Sequence, residues 1–218
     1  MIERMAWESL LPLLTGSDAD RRRVLARLKA FAGELLRWNQ GVSNLISHDD
    51  EPRLLDRHIA ESLAGISIVN NLSCSKLVDF GSGGGFPALP LALAGVGRHW
   101  TLVESRRNKT LFLRRAVQEL AIADIQVITG RLEVLIEENP ASLACDGFTS
   151  RATMKLGPTL GLAASIVRPG GHAILWKGSG FQAEVAAAES EWQRDWQAPV
   201  VHALGDGPNL ISVFERKT

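Results

Sequence analysis

The stretch that decides the fold is Leu77-Val-Asp-Phe-Gly-Ser-Gly-Gly-Gly-Phe-Pro87. Its first four residues predict a short buried strand, the glycines predict a tight loop, and a helix is predicted from Phe86 onward. In an open α/β sheet, ligands bind beyond the carboxyl ends of the strands, where a loop of this kind lies. Residues without a Cβ atom allow the loop to turn sharply against a ligand. The stretch therefore predicts a ligand site directly after the first strand of an α/β sheet.

The spacing of the glycines distinguishes two classes of cofactor. Gly81, Gly83 and Gly85 form a GxGxG pattern, whereas the dinucleotide fingerprint GxGxxG needs glycine at the position of Phe86. The observed pattern suits S-adenosylmethionine, whose methionine arm passes the loop and which has no pyrophosphate to cradle. Glu104 ends the next predicted strand, where a carboxylate accepts hydrogen bonds from ribose hydroxyls. We therefore predict that these glycines and Glu104 bind S-adenosylmethionine, and a nicotinamide-dependent oxidoreductase is the disfavoured alternative.

Beyond the loop, strand and helix patterns alternate along the chain. Strands are predicted at 77–80, 100–103, 125–129, 147–150 and 173–176, and helices near 107–120, 132–138 and 160–167. A turn is predicted at 168–171, and residues 199–201 and 210–214 predict an antiparallel hairpin that closes the sheet. This alternation predicts an α/β fold with a doubly wound, mainly parallel sheet.

The first 72 residues have helical periodicity instead. Apolar residues three and four positions apart predict a helix at 22–38, capped by Asp18 or Asp20, and a second amphipathic helix at 51–69. A loop is predicted at 70–75. The chain therefore divides into a helical extension, residues 1–72, packed on a catalytic domain, residues 73–218.

The composition excludes several classes of protein. The chain has 218 residues, 24 basic and 24 acidic side chains, and 45% hydrophobic residues, which is typical of a globular protein. Two cysteines and five scattered histidines predict neither a disulfide framework nor a metal site. Residues 1–8 carry acids where a secretory signal carries bases, and no apolar run is long enough to span a membrane. We expect a cytoplasmic protein that works as a monomer.

Several motifs in order along the chain resemble one family. After the glycine stretch come Leu102-Val-Glu-Ser105, Ser150-Arg-Ala152 and Trp176-Lys-Gly178. This set resembles the bacterial small-subunit ribosomal RNA methyltransferase G family, also called glucose-inhibited division protein B. Upstream, Trp38-Asn39, Asn44-Leu45 and Arg57-His-Ile-Ala-Glu-Ser-Leu63 resemble the helical N-terminal region of that family.

The resemblance implies a class I, Rossmann-like methyltransferase with a short helical extension. It implies transfer of a methyl group from S-adenosylmethionine to N7 of one guanine in 16S ribosomal RNA, free or in the small subunit, with no DNA or membrane partner. The motifs also imply that Gly81, Phe86, Arg151 and the pair Leu132-Glu133 bind the cofactor, with the adenine at that pair. Two alternatives stay open: a methyltransferase for a small molecule or protein, and a ribosome-assembly factor with a vestigial cofactor site.

The chemistry of the implied reaction makes some residues unnecessary. Guanine N7 already carries a lone pair without a proton, so no general base is required, and no catalytic side chain is assigned. Because N7 must stay free, we expect the base to be read on its Watson–Crick edge and held by stacking. Phe86 and Trp176 are the candidate stacking platforms. We expect His58 to be a packed histidine between the N-terminal helices and the sheet, and Cys145 to be a small residue flanking a strand.

The net charge of zero conceals local basic clusters. Five residues are candidate RNA contacts because they follow strands at the predicted ligand edge: Arg106, Arg107, Lys109, Arg131 and Lys177. A second cluster lies in the first predicted helix and comprises Arg21, Arg22, Arg23, Arg27 and Lys29.

Overall fold

A seven-stranded sheet forms the centre of the molecule. The computed structural model describes residue 2 and residues 5–218. Residues 1, 3 and 4 lie outside the described residues, and they belong to the N-terminal stretch whose composition argues against a secretory signal. The strands are β1 (Lys76–Phe80), β2 (His99–Glu104), β3 (Ile125–Thr129), β4 (Cys145–Arg151), β5 (Val167–Lys177), β6 (Val200–Ala203) and β7 (Leu210–Glu215).

The strand order is β3-β2-β1-β4-β5-β7-β6. The first five strands are parallel to their neighbours, and β7 lies antiparallel between β5 and β6. The connections reverse direction between β1 and β4, so the carboxyl ends of these strands flank the place where an open sheet binds its ligand. This arrangement confirms the predicted doubly wound α/β class and the closing hairpin.

One predicted turn lies inside a strand. Cys145 pairs with Val167, and Gly147, two residues further on, pairs with His172. The segment 168–171 is therefore an irregularity within β5, and Gly170 adopts the left-handed conformation that it requires (φ 71°). The prediction of a separate turn followed by a strand at 173–176 was wrong in its bounds, because pairing with β4 begins before the turn.

The helices cover both faces of the sheet. They are α1 (Asp18–Gly41), α2 (Glu61–Leu63), α3 (Gly65–Asn71), α4 (Ala88–Leu93), α5 (Arg107–Glu119), α6 (Leu132–Glu138), α7 (Leu156–Ile166), α8 (Phe181–Ala187) and α9 (Glu189–Trp192). A π-helical segment, Leu54–Ala60, runs directly into α2. Short 3-10 helices lie at Trp7–Leu13, His48–Asp50 and Pro140–Leu143.

α1 begins at Asp18, four residues before the predicted start at 22, and its cap differs from the predicted one. Ser17 is the cap: its hydroxyl accepts from the backbone N–H of Asp20, and the Asp20 side chain accepts from the backbone of Ser17 in return. Asp20 therefore completes a capping box instead of capping the helix itself, and Asp18 is already helical.

The helices between Trp7 and Asn71, which we call the N-terminal layer, share a hydrophobic core with one face of the sheet. Phe31 and Leu35 of α1 belong to the same buried cluster as Leu77 and Leu102 of the strands. The opposite face buries a separate cluster around Phe148 under α7, α8 and α9. The N-terminal layer thus covers one side of the sheet and reaches its carboxyl edge. In the described part of the chain, no helix has the length and apolarity needed to cross a membrane.

Candidate active site

The glycine loop follows β1 at the carboxyl edge of the sheet. Gly81, Gly83 and Gly85 all have positive φ angles, of 69°, 53° and 90°. A Cβ atom on Gly81 would overlap Cγ2 of Thr153, whereas one on Gly83 would meet nothing closer than 3.7 Å. Gly83 is therefore less crowded than Gly81, and a molecule lying against the loop can approach its backbone closely.

Glu104 holds the loop from the end of β2. Its buried carboxylate accepts hydrogen bonds from the backbone N–H of Gly83 (3.0 Å) and of Arg106 (2.8 Å). A carboxylate offers about four lone-pair positions. Oε1 also accepts a longer hydrogen bond from the Ser105 hydroxyl (3.5 Å), so acceptor capacity remains on Oε2. The structure thus joins Glu104 to the glycine loop, as expected for two parts of one ligand site.

The first of three cavities along this edge lies beside Glu104, and we call it the Glu104 cavity. Its volume is about 160 Å³, and Gly81, Glu104, Arg131, Leu132 and Glu133 are among its lining residues. Leu132 is fully buried at the start of α6, Glu133 is half-buried, and Arg131 is exposed. The structure therefore brings the predicted adenine pair to the same cavity as Glu104 and the glycine loop.

Asp79 is a buried carboxyl group that the sequence patterns did not single out. It lies in β1, where one carboxylate oxygen accepts a hydrogen bond from the Thr149 hydroxyl (2.6 Å) and the other has no partner among the described residues. Burial raises the pKa of Asp79 to about 7, and the charge of Glu104 adds to the increase. The sequence signal that could have identified Asp79 is an acid within an otherwise apolar strand.

The second cavity lies on the other side of the glycine loop, and we call it the loop cavity. Gly81 and Gly83, Phe86, Lys109 and Arg151 line it together with Asp50, Arg57 and His58 from the N-terminal layer. Burial, together with the smaller effect of the positive charge of Arg151, lowers the pKa of His58 to about 4. His58 packs on Phe86 with 4.9 Å between ring centroids, which is the packed position expected for it.

Arg151 connects three parts of the molecule at the end of β4. Its Nη2 donates to the backbone oxygen of Arg57 (2.7 Å) and to Oε2 of Glu61 (2.8 Å). The other oxygen of Glu61 accepts from Asn209 in the β6–β7 connection (2.7 Å). The Nη1 group of Arg151 is buried with no partner in the described part of the chain. Arg151 is therefore fixed by its neighbours and retains donor capacity at the cavity.

The two predicted stacking platforms lie in the core. Phe86 is 7% exposed and packs edge-on against Phe31, with 5.5 Å between ring centroids. Trp176 is 4% exposed, and its Nε1 donates to the backbone oxygen of Glu61 (2.7 Å). A Cβ atom on Gly65 would lie 2.6 Å from the Trp176 ring, so the helix packs directly on it. Phe86 nevertheless lines a cavity beside the glycine loop and Trp176 lines one at the end of β5, so stacking of a base on either ring stays a prediction.

The predicted basic clusters differ in how they are paired. Arg106 and Arg107 are exposed at the start of α5, and no ion pair forms with either one among the described residues. In α1, by contrast, Arg21, Arg22 and Arg23 pair with Asp18, Glu8 and Asp20. Arg27 instead donates to the backbone oxygen of Leu120. The first three arginines of α1 are therefore compensated by acids, whereas Arg106 and Arg107 carry uncompensated positive charge beside the glycine loop.

Lys177 is placed differently from an exposed phosphate contact. Its side chain is 12% exposed, and its ammonium group pairs with Glu184 at 2.8 Å. Cys145 is a buried free thiol at the start of β4, as expected for a strand-flanking residue. Within the described residues, no group of three or more acidic, histidine or cysteine side chains is placed to hold a metal ion.

Comparison with solved structures shows the same fold. An O-methyltransferase from Bacillus cereus in complex with SAH has a TM-score of 0.63 at 17% identity, over 99% of this chain and 100% of that chain. The N-methyltransferase NodS from Bradyrhizobium japonicum in complex with S-adenosyl-L-homocysteine has a TM-score of 0.55 at 14% identity, over 86% and 99% of the two chains. At these identities the likeness concerns the fold alone.

Sequence comparison is more specific. This chain is 36% identical to the ribosomal RNA small subunit methyltransferase G of Paracoccus denitrificans over 79% of this chain and 86% of that relative. A protein of the same name from Rhodopseudomonas palustris (strain ATCC BAA-98 / CGA009) is 34% identical over 95% and 97% of the two chains. The sequence profile described as rRNA small subunit methyltransferase G matches residues 24–210. The chain belongs to the rRNA small subunit methyltransferase G family.

Proposed function

We propose that this protein transfers a methyl group from S-adenosylmethionine to N7 of one guanine in 16S ribosomal RNA. Family membership makes it a methyltransferase. The structural observation that carries the proposal is the glycine loop, tied to Glu104 and flanked by the unpaired positive charges of Arg106 and Arg107. A site of this kind favours a nucleoside cofactor beside an anionic polymer. Because its proposed substrate is ribosomal RNA, we expect the protein to act in the cytoplasm, and we expect it to act as a monomer.

The residues at the edge of the sheet fit the proposed cofactor. Glu104 has acceptor capacity for the ribose hydroxyls, and the cavity beside it offers Leu132 and Glu133 to the adenine. The methionine arm can pass Gly83, the least crowded of the three loop glycines, with Gly81, Gly85 and Phe86 shaping the loop. Arg151 has an unsatisfied buried N–H group at the loop cavity. When bound, S-adenosylmethionine supplies an electrophilic methyl group on a sulfonium sulfur.

The protein's own contribution to the reaction is positional. Guanine N7 attacks with a lone pair that carries no proton, so the side chains have to orient the base and exclude water. Correct orientation alone is worth up to about 7–11 kcal/mol of the barrier. His58 is consistent with this view, because its low pKa keeps it neutral and its ring is packed against Phe86. These contacts assign His58 a packing role.

The test uses small ribosomal subunits from a strain that lacks the gene for this protein. Purified protein and isotope-labelled S-adenosylmethionine are added, and RNA nucleosides are analysed by mass spectrometry. We expect 7-methylguanosine to increase at one position of 16S RNA. Label in protein or in small molecules only would support the alternative methyltransferase classes, and tight cofactor binding without transfer would support an assembly factor. Any of these outcomes overturns the proposal.

A further inference from the structure

The third cavity lies at the carboxyl end of β5, and we call it the β5 cavity. Its volume is about 250 Å³, enough for one purine base, and Lys177, Gly178, Glu184 and Asn209 are among its lining residues. Arg57, Arg151 and Ala152 line both this cavity and the loop cavity. The Glu104, loop and β5 cavities therefore follow one another along the same edge of the sheet. With the cofactor beside Glu104 and the glycine loop, the β5 cavity is the next space available to the acceptor.

A charged pair inside the β5 cavity has unused hydrogen-bonding capacity. Lys177 Nζ donates to Oε2 of Glu184 (2.8 Å) and more weakly to the backbone oxygen of Met154 (3.5 Å). An ammonium group has three N–H donors, so one remains. Oε2 of Glu184 also accepts from the backbone N–H of Leu156 (3.0 Å), while Oε1 has no hydrogen bond in the described part of the chain. The pair thus presents a donor next to an acceptor.

This arrangement is complementary to one nucleobase edge. The Watson–Crick edge of guanine presents an acceptor, O6, followed by two donors, N1–H and the 2-amino group. We propose that the β5 cavity receives the target guanine, with Lys177 donating to O6 and Glu184 accepting from N1–H and the 2-amino group. This inference rests on the proposed function and adds the residues that select the base.

The same pair rejects adenine and leaves N7 free. Adenine presents a 6-amino donor to Lys177 and a bare N1 acceptor to Glu184, so each contact would place like groups together. Recognition through the Watson–Crick edge does not involve N7, which lies on the other edge of the purine. The apolar side chains of Met154, Leu204 and Leu210 also line the cavity and provide surfaces for the faces of the ring.

The pairing also explains the burial of Lys177. A lysine that binds phosphate is normally exposed, whereas this side chain is 12% exposed and neutralised by Glu184. We therefore reassign Lys177 from the RNA backbone to the base. Arg106, Arg107, Lys109 and Arg131 remain as the candidate phosphate contacts.

The experiment combines a protein variant with a change of one atom group in the RNA. The guanosine that the wild-type protein methylates is replaced by inosine, which lacks the 2-amino group. The substituted 16S RNA is ligated from two fragments and assembled into small subunits. Single-turnover rates are measured with labelled S-adenosylmethionine, so that slow reactions remain measurable. Wild-type protein should methylate inosine about tenfold more slowly than guanine, the effect of one hydrogen bond to a charged group.

The variant Glu184→Gln keeps an oxygen for the backbone N–H of Leu156. Its amide N–H donors would, however, face N1–H and the 2-amino group of guanine, which are also donors. It should be about 100-fold slower on guanine, and the inosine replacement should then change its rate by less than about twofold. Glu138→Gln, at an exposed position of α6, is the matched control and should retain the tenfold inosine effect. Affinity for S-adenosylhomocysteine should be unchanged in both variants, which separates base recognition from cofactor binding and from folding.

Two results have distinct meanings. If the inosine effect is equally large in wild-type protein and in Glu184→Gln, Glu184 does not contact the 2-amino group and this inference is wrong. If wild-type protein methylates no guanine of the subunit, the proposed function itself has failed. Glu184→Asp, which keeps a carboxylate on a shorter side chain, should retain part of the discrimination against inosine.

Discussion

At the scale of single residues, Gly83 shows how a backbone position is adapted to a ligand. Its φ of 53° lies in the left-handed region, which favours glycine, and Gly83 lines the loop cavity. Gly95, in the connection between α4 and β2, also has a positive φ, of 80°, and open space around it. The two glycines therefore share a positive φ and differ in their distance from the proposed cofactor.

This pair permits a controlled prediction. Gly83→Ala and Gly95→Ala should both destabilise the fold slightly, because alanine is strained at positive φ. Gly83→Ala alone should weaken binding of S-adenosylhomocysteine, by about tenfold, which corresponds to about 1.4 kcal/mol. Isothermal titration calorimetry checks this, and equal affinities in the two variants would show that the cofactor does not pass Gly83.

Asp79 makes the stability of the protein depend on pH. Because burial raises its pKa from 3.8 to about 7, the folded protein binds the Asp79 proton more tightly than the unfolded chain does. Its contribution to stability is therefore complete below about pH 4 and is lost as the pH rises through about 7. The stability of Asp79→Asn, which cannot ionise at this position, should not fall in this way as the pH rises. Urea unfolding of both proteins between about pH 5 and about pH 8 measures the difference, and parallel pH profiles would contradict the prediction.

At the scale of elements, α1 and α5 contain similar basic runs with different surroundings. In α1, Arg21, Arg22 and Arg23 pair with acids on the same helix or on the preceding 3-10 helix, so the charge of these three is compensated. At the start of α5, Arg106 and Arg107 have no acidic partner among the described residues, and the Arg106 backbone is bound by Glu104. Only the second run can attract an anionic polymer to the edge that holds the cavities.

The salt dependence of RNA binding separates these two runs. Arg106→Gln together with Arg107→Gln should reduce the slope of log affinity against log salt by about 0.7–0.9 for each phosphate group that is no longer neutralised. Arg22→Gln together with Arg23→Gln removes the same charge from α1 and should leave the slope unchanged. Filter binding of small subunits over a range of salt concentrations makes the comparison, and equal slopes for the two double variants would contradict it.

Elements with strong local signals were predictable from the sequence. The glycine loop, the alternation around it and the amphipathic α1 were all expected, because hydrophobic periodicity and glycine spacing are local properties. The irregularity within β5 was not predictable, since Arg168-Pro-Gly-Gly171 has the composition of a turn and only pairing with β4 shows that the strand begins earlier. Ser17 was missed as a cap because Asp18 and Asp20 are equally suitable residue types.

At the scale of the whole molecule, contacts between distant segments determine the site. Glu104 was expected from its spacing, but its bond to Gly83 depends on β1 and β2 lying side by side. Glu61 lies 90 residues from Arg151 and 148 residues from Asn209, and no sequence pattern connects them. The burial of Phe86 and Trp176 likewise follows from the N-terminal layer that packs on them. Residue types at the ligand edge were therefore predictable, whereas their partners required the folded chain.

Arg151 lines both the loop cavity and the β5 cavity, so a ligand in one cavity can change the environment of the other. Thermodynamic linkage then requires reciprocity: a cofactor that strengthens RNA binding by some factor must itself be bound more tightly by that factor when RNA is present. We expect S-adenosylhomocysteine and the small subunit to be coupled positively, by about fivefold or more. Measuring each affinity with and without the other ligand tests this expectation, and independent affinities would mean that the guanidinium group transmits nothing between the two cavities. Arg151, one of three residues shared by the two cavities, would thereby make the affinity for each ligand depend on whether the other is already bound.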